Sequence, residues 1–341
     1  MQNLLETYKD LFSDSLKWKY YSDINIDPFI SIDSSRDFIT RFIELSGKAQ
    51  DNPLFENIHK LDDKRIQHIV SIFFLGTHIY YKNSTIRTSI DKVICRFKNQ
   101  NKSSKIEFSF LWFLICLFHD LGYEIEDNEK YTNFDEFIDG KVKYFLNERV
   151  GVPKLYENTF KQYFNYRLKS DNVNIKKPDH GICGGILLFN KLNTILIKKQ
   201  KNNRSKGLSW NKKLINIYRY ASWVILAHNM FYIRKGDSNE QEYRRNNLDS
   251  LILDKDEKPK VNLKKHSFLY LFLLVDSIDP IKTFNKYENL TDIRIVTSSS
   301  DLRLIVNNEV FRNEYFKKVE RLKDWLIPEI EISYNTVIIK I

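Results

Sequence analysis

Cysteine, glycine and proline are all scarce in this 341-residue chain, with three, ten and seven residues respectively. Cys95, Cys116 and Cys183 are too few and too scattered for a disulfide framework, and two of them lie in apolar segments. That pattern points to a reducing cytoplasm. So little turn-forming material argues against a turn-rich all-β architecture and favours long helices. Long hydrophobic runs are also missing. The longest, Phe110–Phe118 and Phe268–Val275, fall well short of the ~20 residues that a bilayer-spanning helix needs. Both are expected as buried core helices, and no membrane partner is expected. The start, MQNLLETYKDLF, lacks the basic and apolar regions of a secretory signal. The chain carries no P-loop, dinucleotide fingerprint, Cys-rich zinc pattern or Gly-x-Ser-x-Gly elbow, which removes several common enzyme classes.

What the chain does have is aromatic bulk, 24 Phe and 19 Tyr, and a net charge of +10. The charge suggests an anionic partner without identifying one. Basic residues concentrate in Lys198–Lys213, which holds seven Lys or Arg and no acid, with Trp210 inside it. A solvated loop is the plain reading of this run. Contact with phosphate or nucleic acid is the sharper one.

The periodicity predicts helices through most of the first 289 residues. Asp33-Ser34-Ser35 reads as a cap before Phe38, Ile39, Phe42 and Ile43. A helix is expected over about Asp62–Tyr81, and Lys98–Lys105 reads as a loop before the helix that ends at His119. Glu124–Phe134 is acidic and irregular, placed to overhang a site. Pro178-Asp179 breaks the chain ahead of a helix starting at His180. Further helices are expected over Lys213–Phe231, carrying His228 in its last turn, and over His266–Val275, delivering Asp276. Beyond residue 289 the pattern changes to short strands, at Ile293–Thr297, Leu302–Val306 and Thr336–Ile341, around an amphipathic helix from Val310 to Ile327. The expected fold is therefore mainly α, a helical bundle over 1–289 with a small α/β appendage over 290–341.

The chemistry concentrates in a few polar residues set in apolar helices. His119-Asp120 closes the run from Phe110 and is followed by Leu121-Gly122. His68, His180 and His228 belong to three other predicted helices, and Asp276 ends a further one. A lone histidine in such a helix is more often a hydrogen-bonded core residue than a ligand. Several converging on one cavity are costly without a metal or a polar network to satisfy them. Imidazole with carboxylate suits divalent transition ions. His78 competes with His68 for the first position, but ten residues are about 1000° of helical rotation, so the two point roughly 80° apart. Arg65, three residues before His68, favours His68. Gly181, Gly184 and Gly185 would let helices approach closely around His180.

These residues, in this order and helical context, resemble the HD-domain superfamily of metal-dependent phosphohydrolases. Arg65-Ile-Gln-His68 looks like the family's first motif, Phe118-His119-Asp120-Leu121-Gly122 its second, and Leu273-Leu-Val-Asp276-Ser-Ile-Asp279-Pro280 its last. Asp179-His180-Gly181 and Ala227-His228-Asn229 resemble the extra histidines of some branches. The likeness spans about residues 60–285. Tyr123 departs from it, since many of these hydrolases have Lys or His at that place. The resemblance implies an HD-like bundle that binds one or two divalent ions (Mn, Fe, Ni, Mg or Zn) through His68, His119, Asp120 and Asp276. It further implies that His180 and His228 hold a second ion bridged by Asp120, or transfer a proton. Arg65 and Lys282 are then candidate phosphate contacts. The implied activity is hydrolysis of a nucleoside triphosphate, a phosphodiester or another phosphoester, in a monomer or a homo-oligomer. A non-catalytic HD-fold module that senses nucleotide or nucleic acid is the second class. Retention of every ligand-type residue favours the enzyme.

Overall fold

The computed structural model describes residues 2–18, 25–44, 58, 60–101, 106–123, 126, 133, 136, 154–169, 177–201, 214–230, 238–248, 261–284, 286–327 and 329–341. In chain order its helices are α1 (Leu4–Ser13), α2 (Ser15–Trp18), α3 (Ile32–Ile43), α4 (Asp63–Lys82), α5 (Ser84–Asn101), α6 (Phe108–Phe118) and α7 (Lys154–Lys169). They continue with α8 (His180–Lys201), α9 (Leu214–Ala227), α10 (Ser238–Arg245), α11 (Ser267–Ile278), α12 (Ile281–Phe284) and α13 (Glu309–Glu320). The strands are β1 (Ile293–Thr297), β2 (Asp301–Val306), β3 (Ile330–Ile332) and β4 (Thr336–Lys340). The fold is mainly helical, with one small antiparallel sheet near its C-terminal end.

Contacts divide the chain into two units. The first comprises Met1–Arg96, Ile106–Cys116 and Val261–Ile341, and the second Phe97–Lys105 with Leu117–Lys260. In the first unit α4 is the central helix. Asp62 caps it, its Oδ1 accepting from the Arg65 amide at 2.8 Å, and every residue from Ile66 to Thr77 is buried. A helix apolar on all sides has to be surrounded, and aromatic side chains do the surrounding. Tyr8, Trp18, Phe29 and Phe38 all pack on Phe74, and Phe42 stacks on Phe113 at 3.8 Å. Gly76 lets the Trp112 indole lie directly on α4, where a Cβ would collide with the ring, and Trp112 Nε1 donates to the Phe73 carbonyl at 3.0 Å.

The sheet has the order β1-β2-β4-β3, with Ile293 opposite Val306, Leu302 opposite Ile339 and Ile330 also opposite Ile339. Leu302, Leu304 and Val306 alternate inward along β2. This region was expected as an appendage, but it is built into the first unit. Tyr315 on α13 donates to the Ile278 carbonyl at the end of α11, and Asn83 donates to the Ser298 carbonyl beside β1.

In the second unit glycines again set the packing. A Cβ on Gly122 would strike the carbonyl oxygen of His180, and one on Gly184 would lie 2.6 Å from the Phe118 carbonyl oxygen. A Cβ on Gly185 would meet Leu226 and the Ser222 carbonyl, and Ser222 Oγ donates to the Gly185 carbonyl at 2.6 Å. His180–Ile197 is, among the described residues, the one helical stretch long and apolar enough to cross a membrane; 61% of it is buried inside the structure. A buried helix with a polar N-terminal end and a glycine-packed face is accounted for as a core element.

Several local expectations shift. Ser31, not Asp33, caps α3, its hydroxyl accepting from the Ser34 amide. Lys98–Asn101 continues α5 instead of opening a loop. His228 lies in the turn just after α9, and Asp276 sits inside α11, which runs on to Ile278. Helices α1, α2, α5, α7, α10 and α12 and strand β3 carried no expectation; α5, α7 and α10 are strongly polar, which blurs the apolar period. The basic run from 202 to 213, Trp210 included, lies outside the described residues, as does most of 124–134.

Candidate metal centre

The Asp62 cap fixes the start of α4 and places His68 in its second turn, where the ring is 3% exposed. The imidazole lies between two carboxylates. Nε2 is 3.1 Å from Asp276 Oδ1, and Nδ1 is 2.7 Å from Asp279 Oδ2. Asp276 projects from the last turn of α11, and Asp279 is the first residue past it. Pro280 disfavours a helical conformation in the residue before it, so Asp279 turns extended and its carboxylate returns to the far side of the ring. Lys282 donates to Asp276 Oδ1 at 2.6 Å. Burial and the Lys282 charge press the His68 pKa down, but hydrogen bonds to Asp276 and Asp279 outweigh them and hold it up at about 9. Around the ring two carboxylates face one ammonium, and that imbalance is what holds a positive charge on His68 itself.

His119 and Asp120 follow α6 directly and are 1% and 7% exposed. Their side chains meet at 3.1 Å, His119 Nε2 to Asp120 Oδ1. The Tyr123 amide donates to the Asp120 carbonyl at 3.2 Å, closing a tight turn over Gly122. Because that turn abuts the start of α8, Tyr123 stacks flat on His180, with 3.9 Å between ring centres. The tyrosine at this position thus has a local consequence, an aromatic ring laid on an imidazole.

In the second unit His180 opens α8, and Asp179 caps that helix with Oδ1 accepting from the Ile182 amide at 3.1 Å. His180 Nδ1 is 3.1 Å from Glu126 Oε2, and Asn229 Nδ2 is 3.1 Å from His180 Nε2. The other Glu126 oxygen accepts from Arg167 at 3.0 Å and is 3.5 Å from Lys177 Nζ. Burial works to lower the His180 pKa, but the Glu126 hydrogen bond and the Asp179 charge carry it upward. Burial alone would raise Asp179; His180, Arg167 and His228 pull it below the usual carboxylate value. His228 Nδ1 donates to the Ile225 carbonyl at 2.6 Å, which in the neutral ring fixes the tautomer and puts the lone pair on Nε2. The His228 ring lies 5.8 Å from that of His119 and 5.2 Å from that of His180.

Three of the expected ligands come together. Donor atoms of His68, His119 and Asp276 all lie within 4.8 Å of one another, the one such group among the described residues. Asp120, His180 and His228 are not in it. Two imidazoles and a carboxylate are a donor set that fits a divalent transition ion. His78, the rival in α4, stands apart, and burial and the charges of Lys82 and Lys17 lower its pKa to about 4. Of the candidate phosphate contacts, Lys282 touches Asp276, whereas Arg65 is held at 2.7 Å by Asp62.

Sequence reasoning gave no role to Asp279, Glu126, Asp179 or Ser71. Asp279 offered a signal, an acid three residues after Asp276 and just before a proline. Asp179 offered another, a cap residue ahead of His180. Glu126 and Ser71 offered none. The chain matches no known family model, no curated protein and no solved structure.

Proposed function

We propose that this protein is a metal-dependent phosphohydrolase of the HD type, acting on a nucleotide or another phosphoester. One observation carries the reading: His68 of α4, His119 just after α6 and Asp276 of α11 present donor atoms within 4.8 Å of one another. A divalent ion held there would supply a water of lowered pKa and polarise a phosphoryl oxygen.

The protein's own residues define the rest of the chemistry. Asp120, buried beside His119, is a further carboxylate for the ion or for orienting water. The Lys282 ammonium, 2.6 Å from Asp276, would hold a phosphate oxygen drawn to the same ion. Arg65 serves the substrate only by releasing Asp62. His180 is held at Nδ1 by Glu126, so Nε2 would be the nitrogen that exchanges a proton with the leaving oxygen, once it gives up the Asn229 amide 3.1 Å away. His228, with Nδ1 tied to a backbone carbonyl, has the arrangement common in metal-bound histidines and is the candidate for a second ion.

The test is direct. Protein stripped of metal is reloaded with Mn, Fe, Ni, Mg or Zn; bound metal is counted, and hydrolysis of bis-p-nitrophenyl phosphate and a nucleotide panel is measured. Bound metal with turnover of either substrate class is the expected result. Bound metal with no turnover under any ion favours a binding or sensing module, and no bound metal overturns the centre itself.

A further inference from the structure

We propose that Asp279 is the positioning residue of this centre, fixing the His68 ring so that Nε2 is the nitrogen it offers to a metal. The inference rests on the metal-centre reading above and concerns residues of the first unit alone.

Four side chains form a continuous hydrogen-bonded line. Tyr8 Oη is 3.2 Å from Ser71 Oγ, Ser71 Oγ donates to Asp279 Oδ1 at 2.5 Å, and His68 Nδ1 meets Asp279 Oδ2 at 2.7 Å. Tyr8, Ser71, Asp279 and His68 are 0%, 0%, 1% and 3% exposed, so no bulk water competes. The direction of every bond follows from donor capacity. An ionised carboxylate only accepts, so both Ser71 and His68 Nδ1 donate to Asp279. Ser71 has one hydroxyl proton and has spent it, so Tyr8 donates to Ser71. Burial and the nearby Asp279 charge push the Tyr8 phenol well above its ordinary pKa, which keeps that proton in place.

The consequence falls on His68. With a proton committed at Nδ1, Nε2 is the nitrogen that faces Asp276, and Asp276 is the partner with which it shares the donor group. Both Asp279 oxygens are occupied, so Asp279 orients a ligand instead of being one. Ser71, three residues from His68 on α4, lies on the same helical face and braces the carboxylate. A carboxylate on the far nitrogen of a ligating histidine sets its tautomer and ring angle, and losing such a partner costs about 10–100-fold in metal affinity.

The probe is Co²⁺ alone, titrated into metal-free full-length protein and followed by its visible absorption, with thermal unfolding recorded for each variant. Asp279→Asn is expected to remain folded, to bind Co²⁺ about 10–100-fold more weakly and to change the shape of the absorption band. Asp279→Glu restores a carboxylate and should recover part of that loss. Should Asp279→Asn not fold, Ser71→Ala carries the test, with a smaller, several-fold loss expected. A folded Asp279→Asn, or failing that Ser71→Ala, with native Co²⁺ affinity and spectrum overturns the positioning role while leaving the metal centre standing. Native protein that takes up no Co²⁺ overturns both.

Discussion

His68 in the first unit and His180 in the second are the same residue in two different electrical settings. Each is largely buried, each has a carboxylate on Nδ1, and each has its pKa raised against the effect of burial. Around His68 stand Asp276 and Asp279 with one ammonium, Lys282. Around His180 stand Glu126 and Asp179, but Arg167 and Lys177 offset them, and the other ring nitrogen meets a neutral amide. Leaving the rings themselves aside, the first setting is one positive charge short, which in the proposed reading suits a metal ion. The second is balanced and suits a proton moving on and off. In the proposed reading, charge around the ring, more than the presence of histidine, separates the ligand from the acid.

The largest effect that would sharpen this contrast is at Asp276. Asp276→Asn removes the anionic donor from the His68–His119–Asp276 group. Metal content should fall below one ion per chain, and turnover should drop roughly 10³-fold, since a metal's stabilisation of developing charge amounts to several kcal/mol. An Asp276→Asn protein with native metal content and rate would break the contrast at its stronger end.

A somewhat smaller effect belongs to His180→Ala. Metal content should stay at the native value while turnover falls about 10²-fold, the scale of a lost general acid. The alternative is a drop in stoichiometry from two ions toward one, which would make His180 a ligand and erase the distinction drawn here. Metal analysis and initial rates on the same preparation decide between the two.

The two units also differ in how their glycines are held. Gly76 in the first unit faces the Trp112 indole, and Gly122 in the second faces the backbone carbonyl of His180. A side chain can yield where a helix backbone cannot. Gly122→Ala should therefore cost about 3 kcal/mol, the upper end of ordinary overpacking, and Gly76→Ala less. Chemical denaturation of the two variants checks the order; equal losses would mean that the turn after Asp120 is softer than its packing suggests.

Much of this was legible in the sequence, and the reasons it was not always so are physical. Helices α4, α6 and α11 announce themselves because they are buried on all sides, and His68, His119 and Asp276 stand out against that background. The polar helices α5, α7 and α10 do not, because few apolar positions mark their period. Strand β3 is only three residues long, with Ile330 alone buried. The partners of the site residues are harder still. Asp279 reaches His68 across 211 positions and Glu126 reaches His180 across 54, distances over which no spacing rule applies. The terminal α/β region begins where composition changes, near residue 289, but nothing in the composition reveals the contacts by which Tyr315 and Asn83 tie it to the helices of the first unit.

The smallest effect sets His68 against His78, two turns of one helix with opposite titration. His68 is raised to about 9, and His78 is lowered from 6.5 to about 4 by burial and by the charges of Lys82 and Lys17. For a raised group in the metal-free protein the folded state holds the proton more tightly than the unfolded chain. Its stabilisation is complete below about pH 6.5 and is lost as pH climbs through about 9. For His78 the sign reverses. The unfolded chain takes up the proton first, so its contribution is complete above pH 6.5 and is lost as pH falls toward 4. His78→Gln should therefore flatten the decline in stability between pH 6.5 and 4 by about 2 kcal/mol, measured by urea denaturation of metal-free protein at a series of pH values. The same substitution should leave Co²⁺ affinity unchanged, because His78 lies outside the donor group. An unaltered acid limb would show that His78 titrates as in the unfolded chain, and a loss of Co²⁺ binding would show that the wrong histidine of α4 was assigned to the metal.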